Sequence, residues 1–284
     1  MLSNPIELAV HNYLSKVSND DSILSKEIIN TITEDIRTAL TKQFVDKRNK
    51  KFTLRMSNMG KPYCQLWFEK NKPEKAIPPS TNFIINMLIG DIVEAVFKGL
   101  LQASGVKFEN GKKVTLNLGD GYKIEGTPDI TFDEDLDDIK SASPWSYDNK
   151  FKNYDALAEK DNFGYVAQLA GYAKAANKNA NGWWVINKGN GSFKHVKATG
   201  IDVKKVLHKT KELAKELDKN LFRRCFDDEP ETYRKKPSGN RKLCMECSWC
   251  SFRHTCWPGL QERPSVVSKA ENPPMVSYTE LNRV

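Results

Sequence analysis

Apolar residues recur at helical spacing in two stretches near the N-terminus. Ile6, Leu8, Val10, Leu14 and Val17 make an imperfect stripe, and Ile28, Ile29, Ile32, Ile36, Leu40 and Phe44 a better one, so residues 1–45 read as two helices. A basic run from Lys47 to Lys51 follows. Segment 55–79 shows no period, carries the isolated Cys64 and ends in the breaker Pro78-Pro79. Ser80 or Thr81 can cap a long apolar helix over about 82–103, which stops near Gly105. From 112 to 140 the period drops to two. Runs ending at Leu118 and starting at Tyr122 flank Gly119-Asp120-Gly121 and predict a hairpin, with two further strands in Thr127–Phe132 and Leu136–Ser141. A helix over about 162–177, strands at 183–187 and 193–198, and a charged helix over about 201–222 complete the pattern. Trp183-Trp184 belongs to a strand that packs the core, and the chain beyond about residue 262 is expected to be a mobile tail.

No internal repeat is visible, and this order of elements predicts an α/β core with helical additions at both ends. The chain has 284 residues, 39% hydrophobic and 28% charged, which is ample for a packed core and excludes a disordered chain. No apolar run approaches the roughly 20 residues that span a bilayer, so no membrane association is expected. The N-terminus has neither a basic leader nor a continuous apolar stretch, which points to a cytoplasmic protein. The net charge of +8 favours an anionic partner, nucleic acid being the usual one.

The most informative stretch runs from Gly126-Thr-Pro-Asp129 to Asp137-Asp138-Ile139-Lys140. Side chains alternate along a strand, so Asp138 and Lys140 share one face and Ile139 takes the other. If the segment bearing Asp129 pairs alongside, two carboxylates and an ammonium converge. Paired carboxylates are best satisfied by a hard divalent cation, which activates water and stabilises charge on a phosphodiester under attack. Lys140 can orient that water or neutralise a non-bridging oxygen. Alternatively, Asp133, Glu134, Asp135, Asp137 and Asp138 form a solvated acidic turn with Lys140 as an incidental neighbour. Glu94 lies in the long apolar helix, where it is either a further metal ligand or an exposed partner of Lys98 at i+4. Gln168 and Tyr172, also i and i+4, can offer an amide and a phenol to one phosphate, or else Tyr172 packs in the core and Gln168 lies in solvent.

Four of the six cysteines fall within thirteen residues: Cys244, Cys247, Cys250 and Cys256. That is metal-ligand spacing rather than a disulfide framework. Spacing alone suits zinc, bound by some four of these cysteines and His254. Cys225 reads as an ordinary thiol in or beside a helix, and Cys244 as a substitute ligand.

The order of Glu94 helix, Asp129 strand, Asp138-x-Lys140 strand and Gln168-x3-Tyr172 helix resembles the PD-(D/E)XK nuclease superfamily, and the last element resembles its RecB-like branch. Cys64 together with the Cys247-x2-Cys250-x5-Cys256 trio resembles the iron–sulfur exonucleases of that branch, which include the CRISPR-associated adaptation nuclease, AddB-type nuclease domains and phage-encoded members. The resemblance covers about residues 55–260. It implies a central mixed β-sheet flanked by helices, a restriction-endonuclease-like core, with an N-terminal helical extension and a C-terminal iron–sulfur region. It divides the chain into helices at 1–54, a first-cysteine segment at 55–79, a nuclease core at 80–200, a helix and cysteine cluster at 201–262, and the tail at 263–284.

On this resemblance Glu94, Asp129, Asp138 and the carbonyl of Ile139 bind Mg²⁺ or Mn²⁺, Lys140 serves the attacking water, and Gln168 and Tyr172 position DNA. Cys64, Cys247, Cys250 and Cys256 hold a 4Fe–4S cluster, with zinc as the second choice. RecB-like members commonly carry His where this chain has Glu94, while other branches use Glu, so the metal preference stays open. The expected activity is exonucleolytic cleavage of DNA ends, single-stranded by family habit, in recombination, repair, phage replication or CRISPR adaptation. No Gly-x4-Gly-Lys-Ser/Thr loop is present, so any helicase or recombination motor is a separate partner. Basic groups at Lys47–Lys51, Lys204/Lys205/Lys209/Lys211, Arg223/Arg224, Arg234/Lys235/Lys236 and Arg241/Lys242 are candidates for phosphate contact, and Trp145, Tyr147, Phe151 and Tyr154 for base stacking.

Overall fold

The computed structural model describes residues 4–19, 21–46, 51–159 and 161–282. The basic run expected to touch phosphate therefore lies outside the described residues, apart from Lys51. In chain order the elements begin with α1 (Pro5–Ser18), α2 (Lys26–Leu40), α3 (Tyr63–Asn71) and α4 (Thr81–Ala103). Next come β1 (Glu109–Asn110), β2 (Val114–Gly119), β3 (Tyr122–Gly126), β4 (Ile130–Phe132), β5 (Asp135–Ala142), α5 (Tyr154–Glu159) and α6 (Tyr165–Ala176). They are followed by β6 (Asn179–Asn187), β7 (Phe193–Lys197), α7 (Val203–Lys219), β8 (Asp228–Tyr233) and β9 (Lys236–Leu243). Two short helices, α8 (Met245–Ser248) and α9 (Arg253–Cys256), precede β10 (Gln261–Pro264) and β11 (Met275–Glu280). The chain divides into two compact units, one made of residues up to 60 with 80–212, the other of 61–79 with residues from 213 onward. Among the described residues no helix is long and apolar enough to cross a membrane.

The larger unit is α/β. Its sheet runs β1-β4-β5-β6-β7, with β5 and β6 parallel and every other pair antiparallel. Strand β6, flanked by β5 and β7, is buried on both faces over Gly182–Asn187, and its apolar run Trp183–Ile186 puts Trp183 in one core cluster and Trp184 in the other. One face carries α1 and α4, whose Val10, Phe97 and Leu101 pack on Ile130, Ile139 and Trp184. The opposite face carries α6 and the β2–β3 hairpin, whose Leu169, Tyr172, Leu116 and Ile124 pack on Leu136, Trp183 and Val185. Each such large apolar side chain, once buried, stabilises the fold by about 1.5–3 kcal/mol.

Helix α4 starts where Ser80 Oγ accepts a hydrogen bond from Phe83 N at 3.2 Å, so Ser80 rather than Thr81 is the cap. Helix α2 lies tight against it. A Cβ on Gly99 would stand 2.3 Å from Ile32 Cδ1, so a larger residue there would force the Ile32 side chain to move. The pairing of β5 with β6 shifts register between Leu136 and Asp137, the kind of irregularity that re-aims side chains beside a site.

The smaller unit joins two distant pieces of chain. Ile77 N donates to Ser251 O at 2.8 Å, Lys70 Nζ to Leu217 O at 2.7 Å, and Phe68 stacks on Phe252 with centroids 5.2 Å apart. Segment 55–79 is not irregular throughout: it contains α3, which starts directly after Pro62 and buries Tyr63, Cys64, Leu66 and Phe68. The segment expected to be a mobile tail instead supplies β10 and β11 to an antiparallel sheet ordered β10-β11-β9-β8. A buried carboxylate pins that sheet. Glu231 accepts hydrogen bonds from Tyr278 Oη at 2.7 Å, Asn240 Nδ2 at 2.9 Å and Ser238 Oγ at 2.9 Å. Burial opposes its charge, but these bonds win and hold the carboxyl below its ordinary range.

Candidate active site

Asp129 precedes β4, and its Oδ2 accepts a 2.7 Å hydrogen bond from Ile139 N on β5, which fixes the carboxylate against the neighbouring strand. Alternation along β5 puts Asp138 and Lys140 on the α6 face and the Ile139 side chain in the α1/α4 core. Asp138 Oδ2 lies 2.5 Å from Lys140 Nζ, an ion pair whose angles fall short of a hydrogen bond, and Oδ1 is buried without a hydrogen-bond partner. Burial pushes the Asp138 carboxyl up to about 8. The Lys140 ammonium pulls the other way, and the Asp129 carboxylate adds to the rise. Burial alone would lower Lys140, but Asp138 and Asp129 outweigh it and keep its ammonium above the usual lysine range.

Glu94 reaches this group from α4. Its side chain keeps 30% of its exposure and pairs with Lys98 Nζ at 2.6 Å, so the expected i+4 partner is real. The same carboxyl also faces the site: burial and the Asp129 charge raise it, while Lys98 and Lys140 pull it down. Gln168 and Tyr172 share one face of α6 as their spacing predicts. The Tyr172 phenol is raised by burial, lowered by its hydrogen bond with Gln168, and raised by the charges of Asp138 and Asp129. The structure thus gathers Glu94, Asp129, Asp138, Lys140, Gln168 and Tyr172. The acidic-turn alternative applies to Asp133 and Glu134, which are exposed, and not to Asp137 or Asp138, which are buried.

Three neighbours were not singled out from sequence. The Tyr165 ring lies 5.3 Å from Lys140 Nζ, and Phe163 and Lys150 pack against that ring. The detectable signal was Asp161, whose two carboxylate oxygens cap α6 by accepting from Tyr165 N and Val166 N at 2.9 Å each. Asp137 points into the opposite core, where its Oδ2 accepts from Trp184 Nε1 at 3.0 Å and stands 3.2 Å from His195 Nε2.

Comparison with known proteins adds little. No protein-family model matches the chain, and no curated protein does. A solved structure, that of SSO0001, superposes with a TM-score of 0.44 at 14% identity, over 78% of this chain and 94% of its own. At that score the likeness carries no argument about fold or activity.

The smaller unit holds all six cysteines, none of them in a disulfide. Cys64, Cys247, Cys250 and Cys256 line one small cavity, with Phe68 and Trp257 among its walls. Cys225 and Cys244 do not line it. Cys225 Sγ instead accepts from Cys64 N at 3.0 Å. Burial raises the thiols of Cys247, up to about 12, and of Cys250, so both hold their protons in the metal-free protein. Among the described residues no three His, Cys, Asp or Glu side chains stand close enough to hold a metal ion as placed. At the carboxylate site the Lys140 ammonium sits against Asp138 Oδ2.

The basic groups proposed for phosphate divide between residues in ion pairs and exposed ones. Lys211 meets Asp120 at 2.9 Å in the larger unit. In the smaller unit Arg223 meets Glu216 at 2.9 Å, Arg241 meets Asp228 at 2.5 Å and Lys242 meets Glu229 at 2.9 Å. Lys204, Lys205 and Lys209 on α7, and Arg234, Lys235 and Lys236 at the β8–β9 turn, are exposed. Of the aromatic candidates Phe151 is buried, Tyr147 and Tyr154 are half-buried, and Trp145 is 59% exposed.

Proposed function

We propose that the chain is a divalent-metal-dependent DNA exonuclease of the PD-(D/E)XK type, RecB-like, with a structural 4Fe–4S cluster. The observation that carries the reading is a buried carboxylate, Asp138, neither of whose oxygens has a hydrogen bond of good geometry, while the Lys140 ammonium and the Asp129 carboxylate press on it at close range and Glu94 acts on Asp129. A buried polar atom left unpaired is costly, and a ligand is one way to satisfy it. The donor set consists of carboxylate oxygens, which suits Mg²⁺ or Mn²⁺. Asp129, Asp138 and Glu94 would hold the ion, with the Ile139 carbonyl on the same strand. A bound divalent ion supplies a water of lowered pKa and neutralises charge on the phosphate.

The chain's own residues do the rest. Lys140, kept cationic by its two carboxylates, acts as an electrostatic partner for a non-bridging phosphate oxygen rather than as a base. Asp129 stays oriented because Ile139 N holds one of its oxygens. Tyr172 is buried in the core and hydrogen-bonds Gln168, so Gln168, which is half-buried, is the residue of the pair that would offer its amide to the strand, with Tyr172 orienting it.

For the second metal centre, the fit rests on four thiols around one cavity in a unit that joins residues 61–79 to the chain after 213. Thiolates bound at about 2.3 Å to a single tetrahedral zinc crowd around one point. All four thiols line one cavity, and soft sulfur ligands of this kind suit the polynuclear cluster that the resemblance implies.

The test is digestion of end-labelled linear DNA against covalently closed circular DNA in Mg²⁺ or Mn²⁺. An exonuclease degrades the linear form and spares the circle. Cleavage of the circle would replace the exonuclease reading with an endonuclease of the same fold, and no cleavage of either would leave only a metal-stabilised DNA-binding protein.

A further inference from the structure

Beside the carboxylate–lysine group stands a column of three aromatic rings. Phe151, buried, stacks on Tyr165 with centroids 5.8 Å apart and planes at 27°. Tyr165 stacks in turn on Phe163 at 5.6 Å and 16°. Lys150 Nζ lies 4.6 Å from the Tyr165 centroid and 4.7 Å from that of Phe163, so one ammonium clamps both rings. The column begins next to Lys140 and ends in solvent, where Phe163 is 61% exposed.

This geometry is built in rather than incidental. Gly164, between Phe163 and Tyr165 in the chain, has φ +77°, and a Cβ there would stand 2.4 Å from Gly60 Cα. Only glycine allows that turn, and the turn brings the rings at 163 and 165 face to face. Lys150 is itself buried, which lowers its ammonium, while the Asp161 charge raises it, and Asp161 accepts from the first amides of α6. An exposed ring held rigid by a cation, one ring removed from a cationic lysine at the candidate scissile site, matches a ligand that is both aromatic and anionic.

We infer that Phe163 is the stacking platform for one unpaired base of the DNA strand adjoining the scissile phosphate, and that Lys150 is the positioning residue that holds the platform. The inference rests on the nuclease reading and narrows it. A base inside a duplex has both faces covered by its neighbours, so a platform of this kind favours a single-stranded or terminal nucleotide. Phe163 is a binding residue, and its contribution belongs in KM rather than in the chemical step.

The experiment uses the full chain and end-labelled single-stranded oligonucleotides in Mn²⁺, including a set with one abasic site moved along the strand. With wild type, one abasic position should raise KM by between about fivefold and a hundredfold, the range for loss of one base–aromatic stack. Phe163→Ala should raise KM on intact DNA by a similar factor with kcat changed less than about twofold, and should be insensitive to the abasic site. Phe163→Trp should restore wild-type behaviour, and Lys150→Met should weaken binding in the same direction. The abasic scan needs no variant, so it decides the matter even if a substitution misfolds. Cleavage by wild type that is indifferent to every abasic position, or by Phe163→Ala with unchanged KM, overturns the platform and leaves the nuclease standing. Absence of any wild-type cleavage removes both.

Discussion

Asp138 makes cation binding a proton-linked event. Its carboxyl is pushed up to about 8 by burial in the metal-free protein, so about one molecule in a hundred has it ionised at pH 6, about one in ten at pH 7 and half at pH 8. A cation that needs the carboxylate must displace that proton. Apparent affinity for Mn²⁺ should therefore rise about tenfold from pH 6 to 7, about fivefold from 7 to 8, and level off above. Glu94, raised by the same burial and by Asp129, acts in the same direction. The measurement is calorimetric titration of Mn²⁺ into EDTA-treated protein at each pH, repeated in two buffers of different ionisation enthalpy, which counts protons. About one proton should leave per ion at pH 7, and Asp138→Asn should bind weakly with no such dependence. The corresponding stability effect has a fixed sign. The folded-state value lies above the ordinary 3.8, so the folded protein binds the extra proton, and metal-free stability falls as pH rises from about 4 to about 8. An Mn²⁺ affinity that stays constant between pH 6 and 8 refutes this reasoning.

Other outcomes follow from the same geometry. Lys140→Met should lower kcat by about a hundredfold or more, the scale of losing one charge-stabilising donor, with DNA affinity by anisotropy little changed. Cys64→Ser should abolish the broad absorbance near about 400 nm expected of protein purified without air, whereas Cys225→Ser, which alters a thiol that does not line the cavity, should retain it; bound zinc in a colourless preparation would remove the cluster and leave the nuclease untouched. Tyr278→Phe deletes one hydrogen bond to the buried Glu231 carboxylate and should cost the smaller unit about 1.5–3 kcal/mol, read by faster hydrogen exchange across β8, β9 and β11.

Much of the larger unit was legible because its elements obey one period each. The stripe in α2, the long apolar α4 and the Gly119-Asp120-Gly121 hairpin all follow from residue spacing, and alternation along β5 correctly sends Asp138 and Lys140 to one face and Ile139 to the other. The smaller unit was harder. Its strands β8 and β9 carry Asp228, Glu229, Glu231, Lys236, Arg241 and Lys242, so their hydrophobic alternation is faint, and a buried Glu231 network with the Asp228–Arg241 pair supplies part of what apolar burial supplies elsewhere. Helix α3 was hidden by its short length after a proline. The ring column was invisible for a different reason. Lys140, Lys150, Phe151, Phe163 and Tyr165 come from a strand, two loops and a helix, and no local pattern in the chain marks their meeting.

The central claim is most directly tested by incubating end-labelled single-stranded DNA with wild type and with Asp129→Ala, each in Mg²⁺, in Mn²⁺ and in EDTA. Asp129 precedes β4 and is only half-buried, its Oδ2 held by Ile139 N, so the substitution removes the proposed cation ligand at little cost to the core. The account predicts shortening of the DNA by wild type in either metal, none in EDTA, and none by Asp129→Ala under any condition. Shortening by Asp129→Ala at the wild-type rate, or by wild type in EDTA, would contradict it.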